Sequence, residues 1–484
     1  MVGNLRARCR RLAVCHAVRK LLLARGRLLL DGGIGTRLGR LYVIGDYGGI
    51  WPLSDESQAV QRMLAHAGLN VREQAAHWLL ADLAANYDEA LLVDLARYWT
   101  TKDGKVYISS GPTEMVRASL KGAGVELKLL PNGADDEYFA SDAVVRMWRP
   151  TKTGLEPVAI SAFSPNLVAP DRVPSYSPGV QGRLLSAWLV ALIAGIRPLP
   201  ILAAIGGRGG GKTTLIKAVT EVVSCDAPTS LGSDQRDLWT IAANQPVLGL
   251  DNVDSAPPSW FPDFLAGLTT QVSHLRRKLY SDADTNRSAP DAVAAISTRT
   301  AAFARADVAD RTLPIFTSVF DDRDRIADSD LLEEVRENRD AVLTYLARAA
   351  VKLADRLGHA PVLPCRFVDF GRMVWASDES SAASDLAALR QAQALTVGDA
   401  DPLIRAILDF ADQLLGRLGR WEGRPSQLAQ KLKNLGAGLP HMSGRETARR
   451  LREGRETLGQ FKIRVSEGRS GNNTLFTLGG AEGD

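Results

Sequence analysis

The sequence predicts an α/β protein. Its core is a parallel sheet carrying a phosphate-binding loop, with a small mixed α/β unit before it and a basic helix–helix–hairpin unit after it. Three observations predict this. The apolar run 198–205 leads straight into Gly206-Gly207-Arg208-Gly209-Gly210-Gly211-Lys212-Thr213, a full match to G-x-x-x-x-G-K-[ST]. A second apolar run, 246–250, ends on Asp251. The last seventy residues hold thirteen Lys/Arg against seven Asp/Glu, in a chain whose overall formal charge is only +4.

Length and composition set the outer limits. A chain of 484 residues, 45% hydrophobic and 24% charged, suits two or three packed domains rather than a disordered polymer. The small net charge excludes a histone-like protein, so contact with nucleic acid has to come from local patches. Cys9, Cys15, Cys225 and Cys365 are too few for a disulfide-stapled scaffold and show no metal spacing. The longest apolar stretches are short and interrupted, which argues against a membrane span. Eight Lys/Arg and no acid occupy the first thirty residues, but Arg25 and Arg27 break the apolar run, so no signal-peptide core forms and a cytoplasmic protein is expected.

In chain order, residues 1–30 read as a basic amphipathic helical arm: a solvated face on the plain reading, a phosphate- or partner-contacting one on the functional reading. Residues 31–163 read as a mixed α/β, collar-like domain. It contains a hairpin at 38–52, helices at 57–67, 71–83 and 89–98, strands at 106–108, 125–129 and 144–148, and a turn at Asn132-Gly133. Four prolines make 164–179 a linker or extended strap. The core spans 180–360, a helical connector 361–414, and the basic unit 415–484.

The core carries the chemistry. Glycines 206, 207, 209, 210 and 211, with Arg208, let successive backbone N–H groups point at a β-phosphate, and the following helix start adds its partial positive end. Lys212 reaches the β- and γ-oxygens, the Thr213 hydroxyl ligates Mg²⁺, and Thr214 opens the helix beside them. Asp251, at the end of a buried strand, is the magnesium-side acid. Asn252 stands where a second acid is usual: either Asp254 polarises the attacking water, or Asn252 orients it with the base supplied elsewhere, and a weak or partner-dependent ATPase is also compatible. The strand at 292–296 ends in polar residues; Thr298 is the first choice for sensing a γ-phosphate and Ser297 the second. ATP and Mg²⁺ are the expected ligands.

Two basic segments follow from the same logic. Arg305 and Arg311 flank Asp307 and Asp310. One is expected to reach a nucleotide across a subunit interface and the other to brace its own segment, the plain alternative being simple pairing with the two aspartates. Arg276, Arg277 and Lys278 lie between the second and third core strands, where an insert can present a track of phosphate contacts to DNA, the plain alternative being an exposed basic hairpin.

Taken together, the blocks GLDNVDS, RRKLYSDAD and FARADVADRTLPI resemble those of the helicase-like P-loop ATPases of phages, integrative elements and plasmids. These are related to superfamily 3 helicases and primase-helicases within the wider AAA+ class. The resemblance runs from about residue 177 to 350. It implies a P-loop NTPase core and a homo-oligomeric, hexameric ring that translocates on DNA during replication of the element. The Phe-x-Arg-x-Asp-x-x-x-Arg pattern is similar to the arginine-finger segment of AAA+ proteins. The first 180 residues show neither primase acids nor a zinc cluster, so no primase activity is expected here: it has been lost or sits on a separate protein.

The tail completes the expectation. A turn at Trp421 precedes a helix ending near Leu435. Ser443-Gly-Arg-Glu446 is a capping box for a second helix bearing Arg445, Arg449, Arg450 and Arg452, and two strands close the chain. This is the outline of a winged helix: the favoured reading puts the arginine-rich helix in the major groove, and the plain alternative is a protein–protein winged helix whose arginines are merely solvated. A DNA-dependent ATPase of the helicase type is the reading that follows. An ATP-switched DNA-binding regulator or defence protein without unwinding activity is the alternative, and a metabolic kinase leaves the finger segment and the tail without a role.

Overall fold

The computed structural model describes residues 12–20, 28–31, 41–45, 48–85, 90–142, 145–223, 227–231, 234–253, 257–272, 274–277, 285–288, 292–300, 305–321, 323, 325–416, 419–470 and 473–480. At the N-terminal end, residues 12–20 form a helix whose Cys15 is buried and whose Arg19 pairs with Asp82 at 2.6 Å. This helix docks on the Gln74–Ala85 helix, so that part of the expected arm is packed structure. Leu28–Asp31 is a strand, antiparallel to Leu41–Ile44 and parallel to Leu91–Val93. The expected hairpin pairs Leu41–Ile44 with Ile50–Pro52. The expected helix at 89–98 is replaced by strands Leu91–Val93 and Leu95–Ala96, because pairing with Leu28–Asp31 and Tyr138–Phe139 outweighs a weak helical period.

The centre is a five-stranded, wholly parallel sheet. We label its strands β1 (Ile201–Gly206), β2 (Thr229–Ser230), β3 (Val247–Asp251), β4 (Val293–Thr298) and β5 (Thr312–Thr317); their order is β2-β3-β4-β1-β5. Both faces are covered, which is why the strands read as unbroken apolar runs rather than alternating ones. On β1, Leu202 and Ala204 face helices α1 (Pro178–Ile193) and α2 (Lys212–Val222), while Ile201, Ala203 and Ile205 face Trp239, Phe261 and Phe264. Pro314 sits on β5, an edge strand, where its missing N–H costs no ladder bond. The sheet thus agrees with the expected α/β class.

The 164–179 segment is no free linker. Val168 N–H donates to the Phe316 carbonyl (3.0 Å), Ser318 N–H to the Asn166 carbonyl (2.8 Å), and the buried Tyr176 hydroxyl to the Pro314 carbonyl (2.8 Å). The strap therefore covers the outer edge of β5. Nor does the body begin at residue 180. The antiparallel meander Trp99–Lys102, Lys105–Ser109, Glu114–Lys121, Gly124–Pro131 lies on α3 (Asp328–Ala354), and Val106, Ile108, Val116 and Ala118 share one apolar core with α1 and α3. The expected strand at 144–148 is an unpaired extended segment over its described residues; Trp148 is buried, and its N–H and carbonyl bond the Ser110 hydroxyl instead of a ladder.

The expected boundary at 414/415 falls earlier. The Ala382–Ala400 helix packs into the central core through Leu386, Leu389 and Ala392, whereas Leu403, Ile404 and Ile407 of the next helix, Pro402–Asp409, belong to the C-terminal core. That core joins helices Pro425–Asn434 and Gly444–Glu453 to a three-stranded sheet of Arg420–Gly423, Asn473–Gly480 and Ile463–Ser470. The first of these strands was expected to be a turn; it forms because Trp421 is buried against the hairpin.

Arg339 ties α3 to the rest. Its buried guanidinium donates to the Val222 carbonyl at the end of α2 (3.1 Å) and to the Arg146 and Met147 carbonyls (3.4 Å each). Arg339→Ala leaves these acceptors without their donor, and a loss of about 2–3 kcal/mol is expected. The measurement is the chemical-denaturation midpoint of the variant; an unchanged midpoint contradicts the bracing role.

Candidate functional site

The glycine loop joins β1 to α2 and closes against the end of β5. A Cβ on Gly206 would run into the Thr317 carbonyl, so only glycine allows this approach. Gly211, with φ 77°, is the residue from which α2 starts. Lys212 is buried, and its ammonium donates to the Gly207 carbonyl across the loop (2.7 Å). Thr214 donates to Asp328 at the start of α3 (2.8 Å), an interaction that faces away from the expected metal side. The first turn of α2 thus presents Lys212 and Thr213 to the loop while Thr214 anchors the helix start.

Asp251 is the centre of the arrangement. Its Oδ1 accepts from the Thr213 hydroxyl (2.8 Å) and the Ser297 hydroxyl (2.5 Å), and its Oδ2 accepts from Asn252 Nδ2 (3.4 Å). Ser297 in turn accepts from Asn252 N–H (3.0 Å). β4 lies between β1 and β3, so the acid strand is not the immediate neighbour of the loop strand, and Ser297 fills the place between them. Asn252 has φ 54°, a left-handed conformation that Asn tolerates better than most side chains. Its position beside Asp251 therefore has a local structural reason. Asp254 lies outside the described residues.

The two strand-end hydroxyls have different partners. Ser297 reaches the carboxylate. Thr298, the first choice from sequence, points to the other face of β4, where its buried hydroxyl donates to the Thr300 carbonyl (2.7 Å). The period-2 alternation of a strand means that only one of two adjacent side chains can face α2.

Thr213 and Asp251 fit a magnesium ion, which takes few protein oxygens and completes its shell with phosphate and water. Among the described residues no group of three or more His, Cys, Asp or Glu is placed to hold a metal by itself. Beside the loop opens a cleft of about 680 Å³. One wall is Val158, Ile160, Ala162 and Pro165 of the strap region; the other is Phe320, Ile326 and Leu331 after β5; Gly209–Thr214 form the floor. A cleft with both apolar and polar lining next to a glycine loop suits a nucleobase and its sugar. These walls were missed from sequence because they come from two segments far apart in the chain, neither with a motif.

Arg311 is a brace: it donates to the Asp307 and Ala266 carbonyls (2.9 Å each) and to Thr269. Arg305 is about half exposed and held by Asp307 and Asp263, whose hydrogen bonds push its pKa up; it holds the Asp307 carboxyl below the usual range in return. Arg305 lines a different cleft from the phosphate loop, together with Asp401, Arg449 and Arg450. Arg276 and Arg277 lie on a hairpin, His274–Arg277 with Thr285–Ser288, inserted between β3 and β4 as expected. Lys278 lies outside the described residues.

On the arginine-rich helix, the Ser443 hydroxyl caps Glu446 N–H (3.2 Å). Arg449 pairs with Glu453, and Arg452 with Glu467. An exposed i,i+4 pair such as Arg449–Glu453 is worth only about 0.3–0.5 kcal/mol, so a phosphate can replace the carboxylate. Arg450 is different. It is turned inward between Glu446 and Asp401 (3.0 Å each), and it corrects the expectation of four groove-facing arginines. Arg445 is exposed, without an ion pair to any described residue.

Comparison with known proteins follows this geometry. Residues 172–399 match the model of a family described as actinomycete integrative conjugative element replication protein. The span covers the second half of the strap, the parallel sheet, α3 and nearly all of the Ala382–Ala400 helix. No curated protein matches the chain. Among solved structures, the chain is similar to the SCCmec type IV Cch, described as an active helicase, with TM-score 0.42 and 12% identity over 92% of this chain and 91% of that one. It is also similar to the apo A form of the NrS-1 C-terminal region, with TM-score 0.39 and 12% identity over 95% and 98%. No helix among the described residues is long and apolar enough to cross a membrane.

The hydroxyl ranking is directly testable. Ser297→Ala removes a bond that orients Asp251 and is expected to lower magnesium-dependent ATP hydrolysis by about 10–100-fold. Thr298→Ala is expected to leave hydrolysis essentially unchanged. Steady-state phosphate release from the two variants decides between them, and the opposite ranking refutes the assignment.

Proposed function

We propose that the chain is a DNA-dependent ATPase of the helicase type that acts in replication of a mobile element. The observation that carries this reading is the convergence of the glycine loop, Thr213, Asp251 and Ser297 at the C-terminal ends of β1, β3 and β4. The family match over residues 172–399 supports the replication setting.

In this reading the loop N–H groups and Lys212 bind the β- and γ-phosphates of ATP, and the 158–165 and 320–331 walls hold the base. A magnesium ion held by Thr213 and Asp251 would offset charge on the phosphate oxygens. Ser297 and Asn252 keep the Asp251 carboxylate aimed at Thr213. Arg305 closes the site of a neighbouring subunit in a homo-oligomeric, ring-shaped assembly; its separation from its own loop supports an action in trans. The paired strands His274–Arg277 and Thr285–Ser288 bring Arg276 and Arg277 to DNA, and the C-terminal unit acts as a winged helix through Arg445, Arg449 and Arg452.

A second reading has one observation in its favour. Asn252 stands beside Asp251 in place of a second carboxylate and is spent on positioning it. An ATP-switched DNA-binding regulator needs no more than that. Unwinding of a forked DNA substrate separates the two: strand displacement supports the motor, while ATP-dependent binding without displacement supports the switch.

Lys212→Ala is expected to reduce ATP turnover by about a hundredfold or more with the circular dichroism spectrum unchanged. Normal turnover in that variant sinks the proposal. Arg305→Ala is expected to lose about a thousandfold in the assembled oligomer while still binding ATP. Mixing Arg305→Ala with Lys212→Ala subunits is expected to restore part of the activity, because some interfaces then combine an intact loop with an intact arginine. A monomer with full activity, or a mixture no better than its components, contradicts the trans assignment.

A further inference from the structure

We propose that Arg325 is a nucleotide-binding residue supplied by the same chain, contacting the phosphates at the Gly209 turn of the loop. The inference rests on the reading of the 680 Å³ cleft as a nucleotide site. No motif spacing points to this residue; it stands between β5 and α3, more than a hundred residues after the loop.

Three observations converge on it. Arg325 lines the cleft together with Gly209–Thr214, the segment that would face a polyphosphate. Its Nη2 lies 3.8 Å from where a Cβ on Gly209 would stand, so the guanidinium is at the loop itself and not at the outer rim. The stretch that carries it is fixed to the loop on both sides. Phe320 N–H donates to the Gly209 carbonyl (3.5 Å), and Thr214 donates to Asp328 (2.8 Å). Arg325 lies five residues beyond one anchor and three before the other.

The chemistry of the side chain matches that place. A guanidinium offers two parallel N–H donors to a phosphate and stays charged at every working pH. Arg325 is an exposed residue of the cleft lining. Lys212 is occupied with the Gly207 carbonyl at another part of the loop, so the two cations meet different oxygens. Asp328, the carboxylate in the same lining, accepts from Thr214 and approaches Lys217 (4.0 Å), so its contacts lie with α2.

The test is equilibrium binding of fluorescent ADP and ATP analogues to the full chain, for wild type, Lys212→Ala, Arg325→Ala, Arg325→Lys and Arg323→Ala. Arg323 is a nearby exposed arginine that does not line the cleft. Arg325→Ala is expected to weaken both analogues by about 10–100-fold, the loss of charge-assisted hydrogen bonds. Arg325→Lys is expected to recover part of that loss, Arg323→Ala to bind as wild type, and thermal unfolding midpoints to stay unchanged. If wild type binds and Lys212→Ala weakens binding while Arg325→Ala binds normally, this inference is overturned and the nucleotide site stands. An Arg323→Ala loss as large as that of Arg325→Ala overturns it too, since general charge then explains the effect. If wild type binds neither analogue, the reading of the cleft falls and this inference falls with it.

Discussion

The arrangement around the glycine loop depends on one carboxylate held from three directions. Asp251 accepts from Thr213 at the start of α2, from Ser297 at the end of β4 and from its own neighbour Asn252. Each donor belongs to a different element. The bonds form only if the parallel sheet brings three strand ends level with the first turn of a helix. Asn252 adopts a left-handed backbone for this purpose, and Ser297 occupies the gap left because β4 separates β1 from β3. A small shift of any strand along its axis breaks the set, so the whole apolar sheet serves as the rigid mount for one oxygen atom.

The mount is reinforced from outside. The proline-rich strap lies along β5 and continues into a wall of the cleft, and the loop glycines are pressed between β5 and Pro165. The 99–131 meander and α3 share one core with α1, so a segment with no chemistry of its own stiffens the body that carries the chemistry. Arg339 completes the joint by satisfying carbonyls at the end of α2 and in the 146–147 segment. Such a body transmits a displacement at the loop with little loss, because close-packed interiors are stiff.

Charge in the C-terminal unit is arranged differently from a plain count of arginines. Arg450 braces the helix against Asp401, whereas Arg449 and Arg452 are exposed and only loosely committed to carboxylates, and Arg445 is exposed at the helix start. The same helix borders the cleft that holds Arg305. A surface proposed to meet DNA and an arginine proposed to meet a neighbour's nucleotide therefore lie side by side, in a position to affect one another.

Much was legible in the amino-acid order alone. Local chemistry determined the loop and the helix after it, because a glycine-rich turn, a lysine and a hydroxyl act within eight consecutive residues. Apolar runs marked β1, β3 and β4, the last two ending in polar residues, since a buried parallel strand leaves that trace whatever its partners are. Tertiary structure alone decided the rest. Which of Ser297 and Thr298 meets Asp251 depends on the face of β4 that α2 covers. Whether Arg450 faces solvent depends on where Asp401 is placed by the preceding helix. The walls of the cleft, and Arg325 within it, arise from segments more than 150 residues apart. These are properties of distance in space, set by strand order and by which apolar faces pack together, and a linear pattern carries no record of them.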